Sequence, residues 1–375
     1  MTNIRNALMQ AAGTAASGGS TYVEDVFSTT LYTGNNTNGT DIVNGIDLSG
    51  EGGLVWLKRR DGDFAHFLFN TESAQPYHYL SSDSTNAVNT TSSDTLVGFN
   101  NNGFTLDDDN SYVGGMNTSG HDYASWTFRK QEGFFDVVTY TGDGTSARTV
   151  SHNLGCKPGM IIVKRTDSSA DWQVWHRNTG LTYNVAHLNT TAAWTNTGGD
   201  NAAFADAYGN ATNFTLGAGS RLNDTNENSA TYVAYLFAGQ GDADSQIFGD
   251  DGDEEIIKTG SYTGSGAVGK TITLGFEPQW MLIKNADNTT PWVMIDNMRG
   301  MPVDGEGPRL LADQNAAEVD GASYFAPRAD GAEVTLQNTY VNTSGEEYIY
   351  MAIRRGPMKE PSAGTDVLGL DASHA

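Results

Sequence analysis

The chain has 375 residues, a length typical of two or three domains, and it contains 44 Gly against only 9 Pro. Its 45 acidic and 21 basic residues leave a net charge of −24 at pH 7, which disfavours binding to the phosphates of DNA or RNA. No apolar run approaches the ~18 residues of a membrane span. The single cysteine, Cys156, excludes an intramolecular disulfide and a cysteine-based zinc site, and we interpret it as a buried apolar residue.

The first segment, residues 1–21, is predicted to be a short helix followed by a flexible linker. Over residues 2–13, an apolar face is formed by Ile4, Ala7, Leu8 and Ala11. A helix of about ten residues is marginal alone, so we interpret it as an anchor that needs a partner surface. The alternative is a frayed terminus that packs on its own domain. The start lacks the apolar core of a signal peptide, so we expect cytoplasmic synthesis without export by the general route.

Four phrases then recur three times in one order. They are a Tyr-Thr-Gly at 32–34, 140–142 and 262–264; an apolar run ending at Lys58, Lys164 and Lys284; a Thr-Leu strand around Phe104, Phe214 and Val334; and an aromatic strand at 123–128, 232–237 and 348–353. The spacing is about 110 to 120 residues, which is the size of a small domain. The chain is therefore predicted to contain three tandem copies of one domain.

Each copy consists of short β-rich runs separated by Gly, Asn, Thr and Ser, with no convincing core helix. We expect an all-β protein of three tandem β-sandwich-like repeats with a short N-terminal helix. The predicted segments are repeat 1 at 22–132, repeat 2 at 133–240, an acidic linker at 241–255, repeat 3 at 256–356 and a polar C-terminal tail at 357–375.

The tryptophans are the candidate binding residues. Trp172 and Trp175 lie on one predicted strand and must face opposite sides, so one packs in the core and the other is free to contact a partner. With Trp280 and Trp292 they are the candidates for glycan stacking or for contact between copies. The alternative is that a neighbouring copy or subunit buries all of them.

No motif for a nucleophile, a bound phosphate or a metal is present, so we expect no enzyme activity, no catalytic residues, no metal site and no cofactor. His66 and His176 are predicted to occupy comparable places on the second strand of the pair, with Asp296 near that place in repeat 3, and we interpret them as strand residues. The acidic cluster 250–255 lacks the EF-hand pattern, so a solvated linker is favoured over a calcium site, although calcium binding stays open.

Several phrases resemble an uncharacterised repeat family. They are residues 134–144 (FFDVVTYTGDG), 150–155, 158–164, 248–253 and 274–280. That family occurs in predicted virion proteins of tailed bacteriophages of marine bacteria, cyanophages among them. The resemblance covers most of the chain, including the start at 4–12. It implies a virion structural protein, a tail fibre or another appendage, and it adds weight to a trimer because phage fibres are commonly trimers.

Together these observations predict a tail-associated appendage in the virion that attaches through its N-terminus. We expect its partners to be other virion proteins, a host-surface glycan or receptor, and further copies of itself, with no nucleic acid and no membrane. The second hypothesis is a capsid decoration or head-fibre protein without a receptor role. The third is a carbohydrate-active enzyme.

Overall fold

The computed structural model describes residues 20–90, 95–108, 115–179, 184–196, 203–206, 209–217, 222–239, 241, 245–302, 307–321 and 323–359. The predicted anchoring helix with Ile4, Ala7, Leu8 and Ala11 lies outside these residues, as does the tail beyond residue 359. The all-β class is confirmed. Within the described ranges, helical structure is limited to α1 (Val23–Val26), α2 (Leu222–Thr225) and one 3-10 turn (Arg177–Thr179).

The strands follow the chain through the three repeats. Repeat 1 contains β1 (Phe27–Thr33), β2 (Thr40–Val43), β3 (Gly53–Arg59), β4 (His66–Asn70), β5 (Leu96–Asn100), β6 (Gly103–Leu106) and β7 (Asp122–Arg129). Repeat 2 contains β8 (Phe135–Thr141), β9 (Thr149–Ser151), β10 (Met160–Arg165), β11 (Gln173–His176), β12 (Asn184–His187), β13 (Thr195–Asn196), β14 (Phe204–Asp206), β15 (Asn213–Leu216) and β16 (Thr231–Phe237). Repeat 3 contains β17 (Ile257–Thr263), β18 (Lys270–Thr273), β19 (Pro278–Asn285), β20 (Val293–Asp296), β21 (Leu310–Leu311), β22 (Phe325–Arg328), β23 (Gly331–Val334) and β24 (Glu347–Arg354).

Each repeat has the same two antiparallel sheets. The large sheets have the orders β1-β7-β3-β4, β8-β16-β10-β11-β12-β13 and β17-β24-β19-β20-β21. The small sheets have the orders β2-β6-β5, β9-β15-β14 and β18-β23-β22. The three strands that contain the recurring lysines are β3, β10 and β19. Each therefore lies at the same place in its sheet, between the closing aromatic strand and the second strand of the pair.

The large sheet is buried on both faces, which explains why its central strand is a continuous apolar run. On β3, Val55 and Leu57 pack with residues of the small sheet such as Phe104. Leu54 and Trp56 point to the other side, into a second cluster that draws residues from all three repeats. Repeat 3 divides β19 between two clusters in the same way.

The three repeats close into a ring around that shared cluster. One backbone hydrogen bond recurs at every junction: Val88 N to Thr166 O at 2.9 Å (repeats 1 and 2), Trp194 N to Ala286 O at 2.9 Å (2 and 3), and Glu318 N to Arg60 O at 2.7 Å (3 and 1). We call these contacts junctions 1–2, 2–3 and 3–1. Because each repeat touches both others, one chain forms a body with approximate three-fold symmetry.

The third Thr-Leu phrase is displaced from its expected position. Phe104 follows Gly103 on β6, whereas the equivalent strand of repeat 3 places Ala332 after Gly331. A Cβ added to either glycine would lie against a carbonyl of the partner strand, so both positions require glycine. Val334 therefore lies two residues further along than the sequence phrase indicates.

The acidic linker is only partly solvated. Phe248 is fully buried and forms a bridge with Glu254, while the turn at 250–253 is exposed. Tyr22 donates a hydrogen bond to the Asp250 carboxylate, and the Ser20 hydroxyl donates to the Asp250 carbonyl at 3.4 Å. The linker thus holds the first described residues against the body.

Candidate functional site

The structure corrects the expectation of exposed tryptophans. Trp172, Trp175, Trp280 and Trp292 are at most 1% exposed, so none is available for a sugar or a second chain. Burial by a neighbouring copy is the observed arrangement for Trp172, Trp280 and Trp292. Trp175 pairs with Ile161 on the opposite face of its sheet, the face that packs on the small sheet of the same repeat. Trp280, for example, packs against Phe128 of repeat 1 with ring centroids 5.8 Å apart. The physical reason is that the second face of each large sheet is covered by the other repeats of the same chain.

Trp172 and Trp292 occupy the position that His66 has in repeat 1. The backbone N–H groups of His66, Trp172 and Trp292 donate to Asp83, Asn189 and Asp313 at 3.0, 2.8 and 2.9 Å, respectively. Their ring N–H groups cross to the preceding repeat of the ring: Trp172 to Ser81 O at 3.0 Å, Trp292 to His187 O at 3.0 Å and His66 Nε2 to Leu311 O at 3.1 Å. All three rings therefore perform one task, joining two repeats.

The predicted equivalence of His66 and His176 is wrong. The pairing of β10 with β11 sets His176 opposite Met160, and the corresponding residues on the other second strands are Asn70 and Asp296. The reading of both histidines as strand residues agrees with their positions on β4 and β11.

Both histidines are neutral and held as one tautomer. His66 Nδ1 accepts from Trp56 Nε1 at 2.9 Å, which leaves the proton on Nε2. His176 Nδ1 accepts from Asn178 N, so its Nε2 donates to Tyr350 O at 3.1 Å. Burial lowers the pKa of His176 to about 4 and that of His66 well below its usual value. Each ring acts as a fixed hydrogen-bond bridge rather than as a proton carrier.

The three recurring lysines are fully buried. Each ammonium group donates to a backbone carbonyl of another repeat: Lys58 to Asn315 at 3.3 Å, Lys164 to Thr85 at 3.1 Å and Lys284 to Thr191 at 3.1 Å. Burial lowers the pKa of each lysine to about 8, although nearby carboxylates oppose the shift. Because backbone carbonyls accept hydrogen bonds from these ammonium groups, the lysines link each large sheet to a loop of another repeat.

The Tyr-Thr-Gly phrases also have a structural task. In each repeat the tyrosine stacks on the first tyrosine of the closing strand, with centroids 5.0 to 5.1 Å apart. Its hydroxyl donates at 2.7 Å to a carbonyl of the loop before that strand: Met116, Thr225 or Val341. An asparagine in the same loop accepts a backbone N–H just after the phrase: Asn117, Asn226 or Asn342. Sequence reasoning missed these asparagines because Asn is common throughout the chain.

Junction 3–1 contains a set of buried ion pairs. Arg299 bonds Asp296 at 2.6 Å and Glu318 at 3.0 Å, and its side chain has no exposed surface. Arg60 of repeat 1 reaches the same Glu318 at 2.7 Å. Trp126 Nε1 donates to Asp296 at 3.0 Å, which completes the link across the junction.

Junction 1–2 differs by being open. It contains a cleft of about 600 Å³, lined on the repeat 1 side by residues such as Ser73, Leu80 and Val88. The repeat 2 side presents Thr139 and Thr231 among other hydroxyl-bearing residues. A volume of this size lies in the range of small-molecule sites, ~300–1,000 Å³. The cleft is the best candidate for ligand binding in the described part of the chain.

Chemistry-bearing side chains are not gathered elsewhere in a metal-like arrangement. Across the described ranges, no group of three or more His, Cys, Asp or Glu residues could hold a metal ion. Cys156 is buried in the shared cluster. Of the helices that the structure describes, none is long and apolar enough to cross a membrane.

Fold and site together define a class: an all-β protein in which three copies of one two-sheet repeat close into a ring inside a single chain. The chain belongs to the family described as "Domain of unknown function (DUF7483)", whose model matches residues 23–357. No curated protein matches the chain. Among solved structures, it matches the one titled "Crystal Structure of the STIV MCP" at 9% identity, covering 59% of this chain and 95% of that one, with a TM-score of 0.17. A similarity at that score carries no argument.

Proposed function

We propose that the protein is a non-enzymatic structural component of a bacteriophage virion, a tail fibre or tail-associated appendage that attaches through its N-terminal segment. The observation that carries this proposal is the use of the recurring Lys, Trp and His side chains. These side chains are buried at equivalent positions and form hydrogen bonds between repeats, which is a structural role and not a catalytic one. The resemblance of the repeat phrases to virion proteins supplies the biological setting.

Attachment through the N-terminus is tested by removing residues 1–19. The described body begins at Ser20, which is exposed, so the deletion leaves all described contacts in place. We expect the truncated protein to fold with the circular dichroism spectrum of the full chain and to be missing from purified particles. Incorporation at full occupancy would contradict the anchoring role.

A capsid decoration protein is the second candidate, because a body with approximate three-fold symmetry suits a three-fold position of a capsid lattice. The two candidates differ in location and copy number. A cryo-EM map of the particle should place the chain on the tail if the first proposal holds. Density on capsid three-fold axes, with a copy number matching the lattice, would favour decoration.

A homotrimer stays a prediction, but its contacts cannot use the four buried tryptophans. The exposed large apolar side chains of the described chain are Val43, Val97, Val268, Met298 and Val319. Sedimentation of the recombinant protein over a range of concentrations and salt tests the trimer. A monomer at every concentration would exclude self-association of the isolated protein.

A further inference from the structure

The cleft at junction 1–2 breaks the internal symmetry of the ring at one position. The residue that donates the recurring backbone hydrogen bond is Val88 at junction 1–2, Trp194 at junction 2–3 and Glu318 at junction 3–1. The Trp194 indole packs against Trp292, with centroids 6.3 Å apart. The Glu318 carboxylate forms ion pairs with Arg60 and Arg299. At junctions 2–3 and 3–1 the donating residue thus has a large side chain that contacts the next repeat, whereas the smaller Val88 lines a space of about 600 Å³.

The lining of the cleft combines hydroxyl groups with aliphatic surface. Strands β8 and β16 pair Thr141 with Thr231, and both side chains are exposed, as is Thr139 two residues earlier. The opposite wall contributes the aliphatic side chains of Leu80 and Val88. Hydroxyls that both donate and accept, set beside C–H surface, match the alternation of hydroxyl and C–H groups on a pyranose ring.

The charges near the cleft disfavour anionic ligands. Among the described residues that line it, the one formally charged side chain is Glu72, which Lys130 holds at 2.8 Å. The chain as a whole carries a net charge of −24. A phosphate, a nucleotide or an acidic polysaccharide would meet repulsion without a compensating cation.

From this geometry we infer that the cleft binds a short, uncharged oligosaccharide. The inference rests on the proposed function, because it gives the host-surface contact of the appendage a site and a ligand class. Binding is measured on the isolated protein, whereas attachment is measured on particles. A negative binding result therefore does not decide whether the protein attaches to particles, and a negative attachment result does not decide whether the cleft binds a sugar.

The test is a titration of the full chain with maltotetraose, cellotetraose, chitotetraose and, as the charged counterpart, trigalacturonate, followed by calorimetry and saturation-transfer NMR. We expect at least one neutral probe to bind with a Kd below about 1 mM and the acidic probe not to bind. If no neutral probe binds, or if trigalacturonate binds as well as the neutral sugars, the inference is overturned.

Two variants locate the binding. Val88→Trp places in junction 1–2 the residue type that junction 2–3 holds at the same position, so the chain should still fold while affinity falls at least about tenfold. The matched control is Val268→Trp, at a position 62% exposed in repeat 3, which should bind as the wild type does. Thr139→Val removes one hydroxyl without filling the cleft and should weaken binding about fivefold. Unchanged affinity in both cleft variants would overturn the inference.

Discussion

At the scale of single residues, the recurring lysines show why a repeated residue need not be a catalytic one. Lys58, Lys164 and Lys284 each follow the apolar run of a strand and are fully buried. Their ammonium groups bind backbone carbonyls of loops that belong to another repeat. A lysine is long enough to cross the gap between sheet and loop, and its three donors satisfy several carbonyls at once.

The lysines predict a pH dependence of stability. Their pKa is about 8 in the folded chain, against about 10.4 when unfolded. Between these values the unfolded state binds more protons, so the free energy of unfolding should rise with pH. Urea denaturation between pH 8 and 9 measures this rise, because the buried tyrosines with raised pKa act oppositely as the pH approaches about 10.

Lys164→Met should reduce that slope by up to one proton, about 1.4 kcal/mol per pH unit. The matched control is Lys157→Met, at an exposed position of the same repeat, which should retain the wild-type slope. Equal slopes for Lys164→Met and the wild type would show that Lys164 does not titrate in this window.

The glycine of the Tyr-Thr-Gly phrase predicts a steric effect. A Cβ added to Gly264 would lie against the Thr343 carbonyl, so Gly264→Ala should lower the free energy of unfolding by about 1–3 kcal/mol. At Gly98 the nearest atom to an added Cβ is 3.6 Å away, and Gly98→Ala should stay within about 0.5 kcal/mol of the wild type. Equal losses in the two variants would refute the packing argument.

At the scale of elements, the three junctions use one set of backbone contacts but different side chains. At junction 2–3 Trp194 packs against Trp292, and at junction 3–1 Glu318 pairs with Arg60 and Arg299. Junction 3–1 joins the first and last repeats, which no short peptide linker connects. Its ion pairs therefore join two repeats that are not neighbours in the sequence.

Arg299→Ala tests this closure. Removing the guanidinium leaves Asp296 and Glu318 without their buried partner, and we expect a loss of about 3–5 kcal/mol in urea denaturation. The control is Arg328→Ala, which breaks a 2.7 Å pair with Glu333 whose side chains are 38% and 28% exposed. That change should cost less than about 1 kcal/mol. Similar losses for the two variants would contradict the role of buried charge at junction 3–1.

At the scale of the whole molecule, the shared cluster makes the repeats interdependent. Its members come from every repeat, including Trp126, Trp172 and Trp280. A repeat taken alone would expose this face of its large sheet to water. The unit of stability is therefore the ring rather than the single repeat.

The expected consequence is one cooperative unfolding transition. In differential scanning calorimetry the calorimetric and van't Hoff enthalpies of the full chain should agree, and repeat 2 alone, residues 133–240, should lack a cooperative transition. Three resolved transitions, or a cooperatively folded single repeat, would contradict the shared core.

The sequence by itself determined the all-β class and showed four phrases that recur three times in one order along the chain. Alternating apolar residues and turn residues are local signals, and their recurrence at Lys58, Lys164 and Lys284 shows one topology repeated three times. Even here the third Thr-Leu phrase was misplaced by two residues, because Gly331 and not Glu333 takes the position of Gly103 in the strand pairing.

The tertiary structure alone decided which faces are covered. A strand pattern states that Trp172 and Trp175 point to opposite sides, but whether water, another repeat or another chain lies there depends on contacts between distant residues. Ring closure buried Trp172 against repeat 1 and paired His66 with a carbonyl 245 residues away, whereas Trp175 is buried on the opposite face of β11. Val88, Trp194 and Glu318 lie in loops without a common phrase, so only their backbone hydrogen bonds in the folded chain reveal that they are equivalent. Of the three, Val88 lines the cleft.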